Sequence, residues 1–270
     1  MTNPLWNFLA IALYLAAGTW LATRLARGEA TTSRAHHALL GIGVAAVAAH
    51  ALVLFGEPAP VHGLNLSLTG AFSLVAWLVA CLYLLVAVSR PVDNLGVIVM
   101  PLAALTVLVE WLWPVQLPVP MSSRAQGIHI IVSLLAYGLL CLAAVQSVML
   151  LAQERRLRHK HSDGLVRALP PMQTMEQIMF QMIVLGFVLL TLTLISGVFF
   201  SETVFGTPFK LTHHVVLAAL GWVVYALLLL GRWRFGWRGR TAVRWTLGGF
   251  ALLVLAYFGS KFVLEVILRR

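Results

Sequence analysis

The chain is predicted to be all-α and polytopic, a membrane-embedded bundle of eight transmembrane helices. Two observations predict this: the composition, and the spacing of the apolar runs. Of 270 residues, 60% are hydrophobic and only 10% charged, whereas about a quarter of a soluble domain is charged. The mean hydropathy is +0.91. A chain so poor in polar side chains cannot cover a water-facing surface. Its apolar residues also fall into eight runs, each close to the roughly 20 residues that cross a hydrocarbon core as a helix. Strands are excluded because an open strand leaves its backbone groups unsatisfied in lipid.

The runs cover residues 4–23, 37–56, 66–89, 94–113, 126–152, 174–200, 211–231 and 242–266. The first follows Met1-Thr-Asn-Pro, which has no basic residue, and precedes Arg24 and Arg27. It is expected to be a retained span rather than a cleaved signal peptide. Pro58 and Pro60 close the second run, Pro91 parts the third from the fourth, and Pro114, Pro118 and Pro120 follow the fourth. Pro170 and Pro171 precede the sixth, where proline is compatible with a helix start. There is no internal repeat and no low-complexity segment. A loop of about 21 residues between runs five and six is the only sizeable soluble piece. One membrane-embedded domain over residues 1–270 is expected.

Basic residues set the direction. Arg24, Arg27 and Arg34 lie in the first connection and Arg90 in the third. Arg155, Arg156, Arg158, Lys160 and Arg167 lie in the fifth. Arg232, Arg234, Arg238, Arg240 and Arg244 crowd the seventh, which makes fourteen on one side. The other side holds five: Arg124, Lys210, Lys261, Arg269 and Arg270. Loops rich in Lys and Arg stay cytoplasmic, so both termini are expected in the periplasm of a bacterial inner membrane. The net charge of +10 is explained by topology and anionic lipid rather than nucleic acid, because the basic residues cluster between apolar runs. Cys81 and Cys141 sit inside apolar runs without CxxC spacing, which indicates neither a disulfide framework nor a redox pair.

Nine histidines are present. His36, His37, His159 and His161 flank spans on the basic side, and His62 lies in a short outer loop; all five read as solvated or headgroup-facing. His50, His129, His213 and His214 lie in or near the outer leaflet, on three different helices. An ionisable side chain inside a span usually faces a cavity, a partner or a cofactor. His129 stands out, because Gln126, His129, Ser133, Tyr137 and Cys141 recur at spacings of three and four and form one polar stripe on the fifth span. That stripe is read either as an interhelical hydrogen-bond seam or as the setting of an axial haem ligand.

Zinc would need three or four converging ligands, whereas Glu57, Glu110 and Glu202 are scattered and there is no HExxH. An iron porphyrin needs two imidazoles and an apolar, aromatic pocket. Phe55, Trp111, Trp113, Phe199, Phe200, Phe205 and Phe209 are available at the outer rim, although aromatic belts are general in membrane proteins. A pocket framed by Trp111, Trp113, Phe199, Phe205 and Phe209 is expected. Met172, Met175, Met179 and Met182 share a helical face and are expected to be core filler.

The stretch from Trp222-Val-Val-Tyr225 through Gly236-Trp-Arg-Gly-Arg240 to Gly248-Gly-Phe250 and Ala256-Tyr-Phe-Gly259 resembles the last two helices of the cytochrome c assembly (CcsA-like) membrane proteins. Leu169-Pro-Pro-Met-Gln-Thr-Met-Glu176, Leu189-Leu-Thr-Leu-Thr193, Ser196-Gly197 and the face of His129, Ser133 and Tyr137 are similar to the YpjD/HemX branch of that family. The resemblance spans most of the chain, with a family core at about residues 66–266. It implies haem handling at the outer face of the inner membrane, where the wider family presents haem to apocytochrome c, with His129 matching the family histidine. The family's assembly enzymes carry a tryptophan-rich, Asp-containing segment before the penultimate helix. Phe199–His213 has neither residue. Nor is there a counterpart of their histidine beyond the final helix.

The resemblance therefore implies a haem-binding accessory rather than an enzyme. Haem b would be ligated by His129 and His213, with His214 or His50 in reserve and Ser133, Tyr137, Trp111 and Trp113 nearby. Expected partners are membrane lipid, haem and other cytochrome c assembly proteins. The alternative is a cofactor-free scaffold or regulator that docks a cytoplasmic partner through its basic loops. A quinone-linked b-type carrier fits less well, since no second histidine pair lies in the inner leaflet.

Overall fold

The computed structural model describes residues 4–29, 32–56, 63–115, 117–120, 123–158, 168–199, 201 and 212–267. Among them are eight helices long and apolar enough to cross a membrane. They are α1 (Pro4–Arg27), α2 (Ser33–Phe55), α3 (Leu68–Ser89), α4 (Gly96–Leu112), α5 (Arg124–Arg158), α6 (Met172–Phe199), α7 (His213–Phe235) and α8 (Gly239–Ile267). A single 3₁₀ turn, Asp93–Leu95, leads into α4. His62, His159, His161, Glu57, Phe200, Glu202, Phe205 and Phe209 lie outside the described residues.

Local chemistry sets the helix ends. Thr32 and Thr212 cap α2 and α7 by accepting the N–H of Ala35 and Val215, the usual role of a threonine before a first turn. The chain leaves α1 at Gly28, with φ +71, and α7 at Gly236, with φ +65. Only glycine adopts that left-handed geometry at low cost. Helix α5 runs six residues beyond the span read from the sequence, to Arg158. Hydropathy marks where lipid ends, not where a helix ends. Gln153-Glu-Arg-Arg-Leu-Arg158 favours helix, and Arg158 pairs with Glu154 one turn back at 3.0 Å.

The described residues form two compact units. The first comprises α1–α4 with the ends of α5 and α6 nearest their connecting loop. In it α1 packs on both α2 and α4. Small residues bring these helices close, as usual where lipid offers no hydrophobic drive between helices. A Cβ on Gly18 would lie 2.8 Å from the Pro101 ring, and one on Gly43 2.6 Å from Leu84. Tyr14, Leu39, Tyr83 and Met100 are completely buried there.

The second unit holds residues 61–68, most of α5 and α6, and all of α7 and α8. It contains a two-stranded ribbon the sequence did not foretell: β1 (Gly63–Asn65) pairs antiparallel with β2 (Pro118–Pro120), Leu64 opposite Val119. Prolines restrict β2 to a short edge, and their loop-like composition masked it. Asn65 Oδ1 accepts the N–H groups of Ser67 and Leu117. Lys261, counted among the outer basic residues, lies within α8. It donates to the Leu66 carbonyl and pairs with Glu265, whose other carboxylate oxygen accepts the Leu68 N–H at the start of α3.

The Gly-Trp-Arg-Gly-Arg string makes a folded turn. The Trp237 indole covers Gly231, where a Cβ would lie 2.3 Å from Cε3. Trp237 N–H donates to the Gly231 carbonyl, and Arg232 donates to the Trp237 carbonyl while its guanidinium stacks 4.5 Å over Phe180. Beyond it Tyr225 donates to the Thr246 carbonyl, tying α7 to α8. Two segments of α8, Leu255–Gly259 and Val263–Ile267, widen into π-helix. Met175, Met179 and Met182 are buried, Met172 is half-buried, and Ser147 donates to the Met179 sulfur, so three of the four methionines of the row fill the core.

Candidate functional site

In the second unit the polar stripe of α5 meets α6 through His129. Its Nδ1 lies 2.7 Å from Ser196 Oγ. The Ser196 hydroxyl also lies 3.0 Å from the Thr193 carbonyl, placed to donate its proton there and to accept one from His129 Nδ1–H. In that arrangement the lone pair is on Nε2, the nitrogen by which a histidine oriented through Nδ1 binds iron or another metal. Gly197 follows Ser196, and even a Cβ there would be only 3.6 Å from His129 Cε1. Ser133 sits one turn on and donates to the His129 carbonyl at 2.6 Å, so it serves the helix backbone rather than the imidazole.

Tyr137 continues the stripe. Its ring stands edge-on to Phe250 and Phe258 of α8, at 5.6 and 5.8 Å. Its hydroxyl is buried without a hydrogen-bond partner among the described residues, which is costly unless a ligand or water satisfies it. Phe258 stands edge-on to Tyr257 at 5.1 Å, and Tyr257 to His214 at 6.3 Å. These rings form an aromatic wall from the α5 stripe to the first turn of α7. The wider turn at Leu255–Gly259 presents Tyr257 and Phe258 together, and such π segments are frequent at functional sites.

The structure brings His214, not His213, to that wall. Neighbouring residues on a helix point about 100° apart, so only one of them can face α8. His213 is exposed. His50 belongs to the first unit and is completely buried, its Nδ1 3.2 Å from the Tyr14 hydroxyl and its Nε2 2.9 Å from Ser73 Oγ. With both ring nitrogens engaged, it is a tie between α1, α2 and α3. The signal for it was present in the sequence as isolated polar residues within apolar runs.

Trp111 and Trp113 also lie in the first unit. Trp111 meets Phe8 edge-on at 4.7 Å, and Trp113 is 63% exposed. Phe199, in the second unit, is 77% exposed, as a belt residue would be. Among the described residues no three of His, Cys, Asp and Glu converge on a point. The donors present suit a group that takes one or two imidazoles within an aromatic surround.

The eight apolar helices make this a multi-pass inner-membrane protein. The chain belongs to the cytochrome C assembly protein family, whose model matches residues 42–268. It is 32% identical over 231 residues to the inner membrane protein YpjD of Escherichia coli strain K12, covering 83% of this chain and 85% of that one. Protein HemX of Brevibacillus brevis is 28% identical over 139 residues, 52% of this chain and 51% of its own. Cytochrome c biogenesis protein CcsA of Prochlorococcus marinus strain MIT 9312 is 32% identical over 91 residues, 34% of this chain and 29% of its own. No solved structure is significantly similar. Membership supports a role in cytochrome c biogenesis.

Proposed function

We propose that this protein is a haem-binding accessory of cytochrome c assembly that acts at the periplasmic face and is not itself an enzyme. The observation that carries the reading is the hydrogen bond between His129 Nδ1 and Ser196 Oγ, which orients the imidazole with Nε2 as the nitrogen that would bind iron. The family supports a place in cytochrome c biogenesis. The preponderance of basic residues in alternate loops supports placing His129 and the start of α7 on the periplasmic side. Haem b, when bound, would supply an iron able to take imidazole ligands and to change oxidation state. His129 would be one ligand. The second would come from the first turn of α7, where contact with the Tyr257 ring favours His214 over His213. The unpartnered Tyr137 hydroxyl would offer a hydrogen bond, and Phe250, Tyr257 and Phe258 would supply an apolar surround.

Absorption spectra of the purified protein test this. A Soret band with a bis-imidazole signature is expected, lost or shifted in His129→Ala and His214→Ala and retained in His213→Ala. A wild type that takes up no haem, or unchanged spectra in both His129→Ala and His214→Ala, would leave the stripe as a helix seam and the protein as a cofactor-free scaffold.

A further inference from the structure

The first unit contains a half-open cavity of about 650 Å³ at the end of the bundle that carries the basic loops. Its size falls within the roughly 300–1,000 Å³ of ligand pockets. Leu21, Leu25, Val88, Val97 and Leu169 supply an apolar wall. Three helix starts border it: Ser33 of α2, Asp93 of the turn into α4, and Pro170–Thr174 at the head of α6. Helix starts present backbone N–H groups and positive dipole ends, which favour anions.

The charged side chains around it are unequally engaged. Glu29 pairs with Arg24 at 3.5 Å, and Asp93 pairs with His36 at 3.0 Å. Arg90 is exposed at the rim, and its guanidinium has no ion pair among the described residues. The second, independent observation is Asn94. It is 5% exposed and lines the cavity, and neither its Nδ2 nor its Oδ1 has a hydrogen-bond partner among the described residues. A buried amide left so is costly, and a ligand that accepts hydrogen bonds would satisfy its Nδ2.

We infer that this cavity binds the phosphate of an anionic glycerophospholipid. Arg90 and the Asn94 amide hold the phosphate, the Ser33 and Ser89 hydroxyls border it, and the leucine wall takes the start of an acyl chain. Under the proposed orientation this end of the bundle meets the cytoplasmic leaflet, which is the anionic one. The inference does not rest on haem.

Melting of the full-length protein in neutral detergent, titrated with phosphatidylglycerol, phosphatidylethanolamine or inorganic phosphate, tests it. Phosphatidylglycerol should raise the melting temperature more than phosphatidylethanolamine, whose headgroup ammonium offsets the phosphate charge that Arg90 and the helix starts attract. Arg90→Ala and Asn94→Leu should each weaken the apparent affinity about tenfold, a change of about 1.4 kcal/mol. Asn94→Leu should melt no lower than wild type without lipid, because it removes two unpartnered polar atoms. Equal responses to the two lipids, wild-type affinity in both variants, or a lipid-free melting drop in Asn94→Leu would overturn the site. Displacement of phosphatidylglycerol by millimolar inorganic phosphate would overturn the lipid as its source.

Discussion

His129 of α5 and Ser196 of α6 are joined at 2.7 Å through Nδ1 and Oγ, and the same hydroxyl lies 3.0 Å from the Thr193 carbonyl. The serine thus orients the imidazole through Nδ1.

If His129 ligates haem, Ser196→Ala should loosen it without removing it. Loss of a residue that orients a ligand commonly costs about 10- to 100-fold in metal affinity, so haem titration should give a weaker apparent affinity and a broadened Soret band. Ser196→Thr, which keeps the hydroxyl, should recover most of both. Identical titrations for wild type and Ser196→Ala would remove the serine from the site.

How much of this was legible follows from what membranes enforce. All eight spans could be read, because hydrocarbon thickness imposes run length. The α5 stripe could be read because spacing places His129, Ser133 and Tyr137 on one face. Side-chain pairing across helices has no such signature. Whether His213 or His214 faces α8 depends on the rotation of α7, which hydropathy leaves open. His50 reads from its position as a reserve ligand, but Tyr14 and Ser73, distant in sequence, occupy its two nitrogens. Lys261 counted as an outer positive charge, yet it serves the Leu66 carbonyl and Glu265.

Glu265 ties α8 to the start of α3. Glu265→Ala removes the acceptor of the Leu68 N–H at 2.8 Å and the partner of Lys261 at 3.1 Å. Leaving such groups unmatched costs about 1–3 kcal/mol, so the melting temperature in detergent should fall. Glu265→Gln keeps an oxygen for Leu68 and should fall less. Equal melting of Glu265→Ala and wild type would show the tie to be energetically idle.

The turn after α7 depends on the absence of a side chain at Gly231. Gly231→Ala would place Cβ 2.3 Å from Trp237 Cε3, close to the root of a rigid ring rather than at a flexible tip. Overpacking of this kind costs about 1–3 kcal/mol. Trp237→Ala should also destabilise, and the double variant should lose less than the two single losses added. Strict additivity in thermal melts would mean that the indole does not rest on Gly231.

The last prediction separates a structural histidine from a ligand. Tyr14→Phe removes the hydroxyl at His50 Nδ1 and leaves a ring nitrogen unpaired in a fully buried site. The cost should be about 1–3 kcal/mol, seen as a lower melting temperature. Because His50 is engaged on both nitrogens within the first unit, this loss should leave the haem spectrum of the folded protein unchanged. His50→Leu should behave alike, with a larger drop because Ser73 loses its partner too. A Soret shift in Tyr14→Phe at a temperature where the protein stays folded would place His50 among the iron ligands, and the assignment to His129 and α7 would then have to give way.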